Sequence, residues 1–156
     1  MTYERSDELL ISLRRIIRAI SLHSKKLEQK YGLTGPQVLL LKEINLHANI
    51  PVSVLAKNVN LSKPTVTSIL DRLEKKGYIT RTKDLQDRRK VLVQAKANAN
   101  KIFSKAPSLL QESFIENFNQ LEEWEQSLMV STLQRISSMM NAETIDAAPV
   151  LTAGEF

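Results

Sequence analysis

Two clusters of side chains in this chain gather cations: Ser62-Lys63-Pro64-Thr65-Val66-Thr67-Ser68, which adds hydroxyls, and Asp87-Arg88-Arg89, which adds a carboxylate. A hydroxyl can donate to or accept from the edge of a flat polar ring system, a threonine methyl packs on another methyl, and a guanidinium or ammonium neutralises a phosphate. Neither cluster pairs a nucleophile with a base. The chemistry they suit is reversible recognition of a polyanion, not bond-making.

Elsewhere the residues that carry reaction chemistry are absent or misplaced. Zero cysteines exclude disulfides, thiolate nucleophiles and cysteine-based redox sensing. His23 and His47 lie too far apart in sequence to form a local metal pair, Glu122, Glu123 and Glu125 sit where a helix starts, and there is no Gly-rich phosphate loop. An enzyme is not expected, nor a cofactor or a metal. Met129, Met139 and Met140 fit an apolar helix face better than an oxidation switch.

The elements that must position the two clusters follow from spacing. Ser53 reads as an N-cap, with Val54, Leu55 and Val59 at helical steps behind it, and Asn60 suits the left-handed backbone of a tight turn between helices. Ser62 then caps a second helix with Pro64 in its first turn. Val66, Ile69, Leu70 and Leu73 form its buried stripe, which leaves Lys63, Thr65, Thr67, Ser68 and Arg72 outside, and Lys75-Lys76-Gly77 is a cationic stop. Tyr78–Thr82 and Lys90–Val93 read as two strands around the charged tip 83–89. A helix-turn-helix followed by a hairpin is a winged helix. Ile50-Pro51-Val52 reads as a third, edge strand beside the hairpin.

Charge is distributed accordingly. Residues 62–105 carry a net +8, residues 1–61 a net +4 and residues 106–156 a net −7, against +5 for the whole. A basic excess focused on the second helix and wing fits counterion release from a nucleic-acid backbone, and the acidic final third argues against a general polycation. At 156 residues and 42% hydrophobic content the chain can bury one core. No apolar run is long enough for a membrane span or a secretion signal, so a cytoplasmic protein with no membrane partner is expected.

Leu9, Leu13, Ile16, Ile17, Ile20, Ser24, Leu27 and Tyr31 recur at three- and four-residue steps, predicting one long amphipathic helix that ends near Gly32. Thr34-Gly35-Pro36-Gln37 opens the next helix as a capping box, with the run Val38 to Ile44 behind it. After the wing, 94–120 reads as a helix that Pro107 kinks or interrupts, its apolar residues being Ile102, Phe103, Leu109, Leu110, Phe114, Ile115 and Phe118. A last helix beginning at Leu121-Glu122-Glu123 carries Trp124, Leu128, Leu133, Ile136, Met139 and Met140. Two long terminal helices with apolar stripes offer more surface than a small winged helix can cover. A two-fold dimer is the expectation, against a monomer in which they pack on each other.

The motifs Leu33-Thr34-Gly35-Pro36-Gln37, Leu55-Ala56, Ser62 to Thr67, Leu73-Glu74-Lys75-Lys76-Gly77 and Asp87-Arg88-Arg89, in this order, resemble the MarR family of bacterial transcription regulators over roughly residues 8–141. The resemblance implies a mainly α fold with a small β-wing: a winged helix-turn-helix with long N- and C-terminal dimerisation helices. It implies one MarR-like domain, 1–156, with a DNA-binding lobe at 34–96, dimerisation helices at 5–31 and 97–141 and a tail at 142–156. Its partners would be double-stranded DNA, a second copy of the chain, and a small-molecule effector that no residue here identifies.

Carried onto this chain, Ser62, Lys63, Pro64, Thr65, Thr67 and Ser68 match the start of the recognition helix, with Thr65 and Thr67 assigned to readout and Lys63 to phosphate. Arg72 and Arg81 are counted on the same DNA-facing surface. In the family's wing pattern the aspartate orients the second arginine toward the minor groove, which places Asp87 and Arg89 in those roles and adds Arg88 as a second cation. A narrow A·T-rich minor groove has enhanced negative potential, so an arginine there selects for shape. Without that role, Asp87 and Arg89 would be a surface ion pair of little energetic weight.

The chain departs from the family after the wing, where Ala95-Lys96-Ala97-Asn98-Ala99 replaces a Leu-Thr-x-x-Gly entry and leaves the start of the next helix open. Asp146 to Thr152 is similar to tails of family members that control compatible-solute genes, which implies osmolyte or stress targets. The function implied is that of a homodimeric, sequence-specific repressor or activator, with repression from a palindromic operator the expected form. The alternative is an architectural or protein-interaction winged helix without sequence specificity.

Overall fold

The computed structural model describes residues 4–105, 108–145, 147 and 149–154. Helix α1 (Arg5–Tyr31) ends on Gly32, whose φ of 65° lets the chain turn left-handed, and the Gly32 N–H donates to the Glu28 carbonyl at 2.8 Å. Helix α2 (Gly35–Asn45) follows at once. The Gln37 side chain accepts from the Thr34 N–H at 3.2 Å, and Val38, Leu40, Leu41 and Ile44 fill the centre of the molecule.

Strand β1 (Ile50–Pro51) leads directly into α3 (Val52–Asn58), so the helix is capped by Pro51 and not, as the sequence suggests, by Ser53, which lies inside its first turn. The shift has a packing cause. With the helix starting earlier, Val52, Leu55, Ala56 and Val59 form the buried face, and Val54 is turned to solvent. Asn60 makes the turn with φ 54°, and α4 (Lys63–Lys75) begins under Ser62. Val66, Ile69, Leu70 and Leu73 are almost completely buried, as their spacing requires; each contributes roughly 1.5–3 kcal/mol relative to an exposed side chain. The Gly77 N–H donates to the Glu74 carbonyl and the Tyr78 N–H to the Leu73 carbonyl, so Gly77 at φ 76° closes the helix and aims the chain into the wing.

Strands β2 (Ile79–Lys83) and β3 (Val91–Ala95) form the hairpin, displaced by one or two residues from their sequence-based limits. The sheet order is β1-β3-β2, all antiparallel, with Ile50 opposite Val93 and Pro51 opposite Leu92. Pro51 thus occupies an edge strand, where its missing N–H breaks no ladder. Helix α5 (Ala97–Phe103) starts after Lys96, whose N–H donates to the Tyr78 carbonyl at 2.8 Å. This places the helix start that the departing sequence leaves open. Residues 94 and 95 are therefore strand, not helix, and the rest of the segment is interrupted, as Pro107 suggests, into two helices, α5 and α6 (Leu110–Asn119). Pro107, Asp146 and the Phe103 side chain lie outside the described residues.

Helix α7 (Glu123–Met139) begins at Glu122, whose N–H donates to the Glu125 carboxylate at 2.9 Å. It contains no buried residue. Of α1, only Leu27 near its end is buried, while Leu9, Ile16, Ile17, Trp124, Leu128, Leu133 and Met139 are all exposed in the single chain. The two terminal stripes do not cover each other. No helix among the described residues is long and apolar enough to cross a membrane.

Candidate nucleic-acid interface

The first turn of α4 is built by its own hydroxyls. Ser62 Oγ accepts from the Thr65 N–H at 3.3 Å and lies 2.7 Å from Thr65 Oγ1, while Thr67 Oγ1 donates to the Lys63 carbonyl at 2.9 Å. These bonds limit what the side chains can do. With its proton committed to the helix, Thr67 offers outward an oxygen that accepts and a methyl that packs, but no free donor. Lys63, Ser62 and Pro64 are exposed around it, Thr65 and Ser68 are half-buried, and Arg72 is exposed further along the helix.

The wing brings its cations to the same side. Asp84 Oδ1 accepts from the Gln86 and Asp87 N–H groups at 2.7 and 3.3 Å, which folds the tip and holds the Asp84 carboxyl below its usual range. The Asp84 N–H then closes on the Lys90 carbonyl, and the Lys90 N–H on the Asp87 carbonyl. On this frame Asp87 Oδ1 accepts from both the backbone N–H (3.1 Å) and Nε (3.2 Å) of Arg89, whose side chain is 93% exposed. One carboxylate fixes the stem of the guanidinium while its outer face stays in solvent. Arg88 is exposed beside it.

A single concavity between the helix start and the wing is lined by Val52 and Ser53 from α3, Lys63 and Thr67 from α4, and Arg81, Arg89 and Lys90 from the hairpin. Arg81 stands apart from the other cations. Its Nη2 donates to Asp71 Oδ1 at 2.6 Å and to Glu74 Oε2 at 2.5 Å, and its Nε donates to the same Glu74 oxygen at 3.1 Å. The hydrogen bond from Arg81 lowers the Glu74 pKa below its ordinary value, and the same bond raises that of Arg81. Two carboxylates on α4 thus neutralise this guanidinium. It ties β2 to the recognition helix.

Two further contributors do not stand out in the sequence. Lys90 reads there only as the start of a strand, although its place directly after Arg88-Arg89 is an available signal, and Ser53 reads as a cap. Leu85, 99% exposed at the tip of the wing, is an apolar side chain with nothing of its own chain to pack on. Among the described residues no group of His, Asp or Glu is arranged to hold a metal ion.

A helix-turn-helix whose second helix is polar and basic outward, flanked by a cationic hairpin, defines a winged helix-turn-helix DNA-binding fold. The model of the MarR family matches residues 33–91, from the end of α1 to the second wing strand. Among curated relatives, YcgE of Bacillus subtilis, an HTH-type transcriptional regulator, is 34% identical over 115 residues, covering 74% of this chain and 75% of that protein. YfiV, another HTH-type regulator of that bacterium, is 33% identical over 96 residues, 62% of this chain and 60% of YfiV. The HTH-type transcriptional repressor MdtR, also from Bacillus subtilis, is 30% identical over 83 residues, 53% of this chain and 54% of MdtR.

The matched stretches thus span little more than half the length of YfiV and MdtR. Among solved structures, the S. aureus MepR–DNA complex aligns with 89% of this chain and 99% of that one, with a TM-score of 0.58 at 24% identity. A mutant E. coli MarR complexed with operator DNA aligns with 86% of this chain and 99% of that one, with a TM-score of 0.56 at 21% identity. The chain belongs to the MarR family of winged helix-turn-helix, DNA-binding transcription regulators, and not to a family of enzymes.

Proposed function

We propose that the protein is a homodimeric, sequence-specific repressor that binds a pseudo-palindromic operator. One observation carries this reading: Lys63, Thr67, Arg89 and Lys90 from two separate elements line one concavity, and of these only Arg89 meets a carboxylate among the described residues. Arg81 and Arg89 in that concavity are paired with carboxylates, whereas Lys63 and Lys90 form no ion pair among the described residues and are left for a polyanion to complete. The reading lobe, 34–96, enters the major groove with Thr65 and Thr67, while Lys63, Arg72 and Arg88 meet phosphate. Arg89, steadied by Asp87, enters the minor groove, and Leu85 packs against its wall. The dimerisation helices, 5–31 and 97–141, set two such lobes about 34 Å apart, one helical turn of DNA.

Support from relatives is of the same kind: MdtR is described as a repressor, MepR was solved on DNA and MarR on operator DNA. Repression follows from blocking polymerase, in the cytoplasm where the chromosome is. A small-molecule effector lodged between the dimer helices and the reading lobe would act by changing the distance between the two heads. Control of osmolyte or stress genes is the finer expectation and rests on the tail resemblance alone; transcripts of such genes should rise in a deletion strain at high osmolarity.

The deciding measurement is a titration of duplex DNA from the promoter of the protein's own gene against a scrambled duplex at several salt concentrations. The expected result is preference for the promoter duplex by at least about a thousandfold, with a steep decline of both affinities with salt. Equal affinity for the two duplexes would leave an architectural winged helix in place of a specific regulator.

A further inference from the structure

The last described residues do not trail from the molecule. Val150 is 8% exposed, and a Cβ built on Gly35 at the start of α2 would lie 3.4 Å from Thr152 Cβ and 3.7 Å from Val150 Cγ1. The backbone is held as well. The Leu151 N–H donates to Gln111 Oε1 on α6 at 3.0 Å, and the Ala153 N–H donates to Ser24 Oγ on α1 at 2.9 Å. Gln111 is one of only two buried polar side chains described, at 7% exposure. The other, Gln37, accepts from the Thr34 N–H at its own helix start and from Lys76 Nζ. A buried amide is tolerated where its oxygen has a donor, and the donor here comes from a segment forty residues away in sequence.

We infer that the corner formed by Ser24, Gly35 and Gln111 is a binding site for an extended peptide segment, filled by the chain's own residues 149–154. Its recognition chemistry is specific. Ser24 and Gln111 each accept one main-chain N–H, from residues two apart on the strap, and Gly35 supplies a bare backbone surface on which a β-branched side chain and a threonine lie flat. Because α1 and α6 belong to the dimer side and α2 to the core of the reading lobe, the strap fixes the angle between them. Release of the strap from this site would therefore loosen or reset the two reading heads. The site's effect on DNA rests on the operator reading above; its existence does not.

The test compares the full chain, a chain ending at Ile145, and the full chain with Val150→Asp, by amide hydrogen exchange without DNA. Both variants should exchange about tenfold faster over residues 24–38 while the amides of 69–73 in α4 keep their protection. A synthetic peptide Pro-Val-Leu-Thr-Ala-Gly added to the truncated chain should restore the slow exchange. Unchanged exchange over 24–38 in either variant, or no rescue by the peptide, would overturn the inference. Should truncation unfold the chain globally, Val150→Asp decides: faster exchange confined to 24–38 supports the site, and unchanged exchange there removes it. In the same proteins, promoter-duplex affinity should fall several-fold on truncation; slow exchange lost with affinity unchanged would keep the site and discard its link to DNA.

Discussion

Arg89 and Thr67 illustrate how much a single side chain's bonding pattern restricts its role. Arg89 is anchored at Nε and at its own N–H by Asp87, which leaves the outer guanidinium nitrogens for a partner. Arg89→Ala should weaken duplex binding by about 1–3 kcal/mol, with most of the loss on sites flanked by A·T tracts. Fluorescence anisotropy on duplexes that differ only in their flanks measures this, and an equal loss on all flanks would make Arg89 a phosphate contact. Thr67 donates to the Lys63 carbonyl, so its outward chemistry is a methyl and an acceptor. Thr67→Val keeps the methyl and should hold affinity within about threefold, whereas Thr67→Ala should lose about 1 kcal/mol at a thymine position. Comparable losses in both variants would assign readout to the hydroxyl. Asn60, at φ 54°, is a backbone requirement. In urea unfolding, Asn60→Ala should cost about 1–2 kcal/mol, and Asn60→Gly should cost less.

At the scale of elements, the hold of the wing on the recognition helix rests on Arg81 between Asp71 and Glu74. Glu74 has its pKa lowered in the folded protein by the hydrogen bond from Arg81, so the stabilisation it contributes is fully present above its ordinary value of 4.5 and is lost as pH falls through the lowered value. The stability gap between the wild type and Glu74→Gln should therefore be widest near neutral pH and close in acid. A gap that stays constant across that range would mean Glu74 acts by shape alone. Because Glu74 is partly exposed and screened, Arg81→Met should cost only about 1 kcal/mol in global stability. Its larger effect should be on DNA affinity, through a wing no longer held at a fixed angle to α4.

Much of this scale was legible in the sequence. The stripe Val66, Ile69, Leu70 and Leu73, the cap at Ser62, the turn at Asn60, the stop at Gly77 and the edge proline at β1 are local rules, and each is obeyed. The errors fall where a local rule has two solutions. Ser53 is as good a cap as its neighbours, but only the start at Val52 puts Val52, Leu55, Ala56 and Val59 together on the core. Arg81 looks in sequence like every other wing cation, because the carboxylates that claim it are seven and ten residues upstream on another element.

At the scale of the whole molecule, α7 has no buried residue and α1 only Leu27, so both long stripes await a partner surface. A basic α1 bearing Arg14, Arg15 and Arg18 and an α7 that opens with Glu123 and Glu125 are complementary in charge. Ile17→Asp or Leu128→Asp should shift the protein to a monomer in sedimentation while circular dichroism and α4 protection stay near wild type. A monomeric wild type at micromolar concentration would remove the fixed spacing on which palindrome recognition depends. The monomeric variants should retain salt-sensitive, nonspecific DNA binding, since each lobe keeps its own cations.

The winged helix, its caps and turns, the basic outward face and the apolar terminal stripes follow from the chain's residue order, because each is written in spacing over a turn or two. The tertiary structure alone decided which cations are free and where the tail goes. Lys90 joins the groove while Arg81 is neutralised, and the tail's Val150 and Thr152 pack on Gly35 next to a buried Gln111. Charge compensation depends on carboxylates of another element, and backbone docking on partners far away in the chain. No periodicity announces them, and they exist only once the core has brought α1, α2 and α6 to one corner.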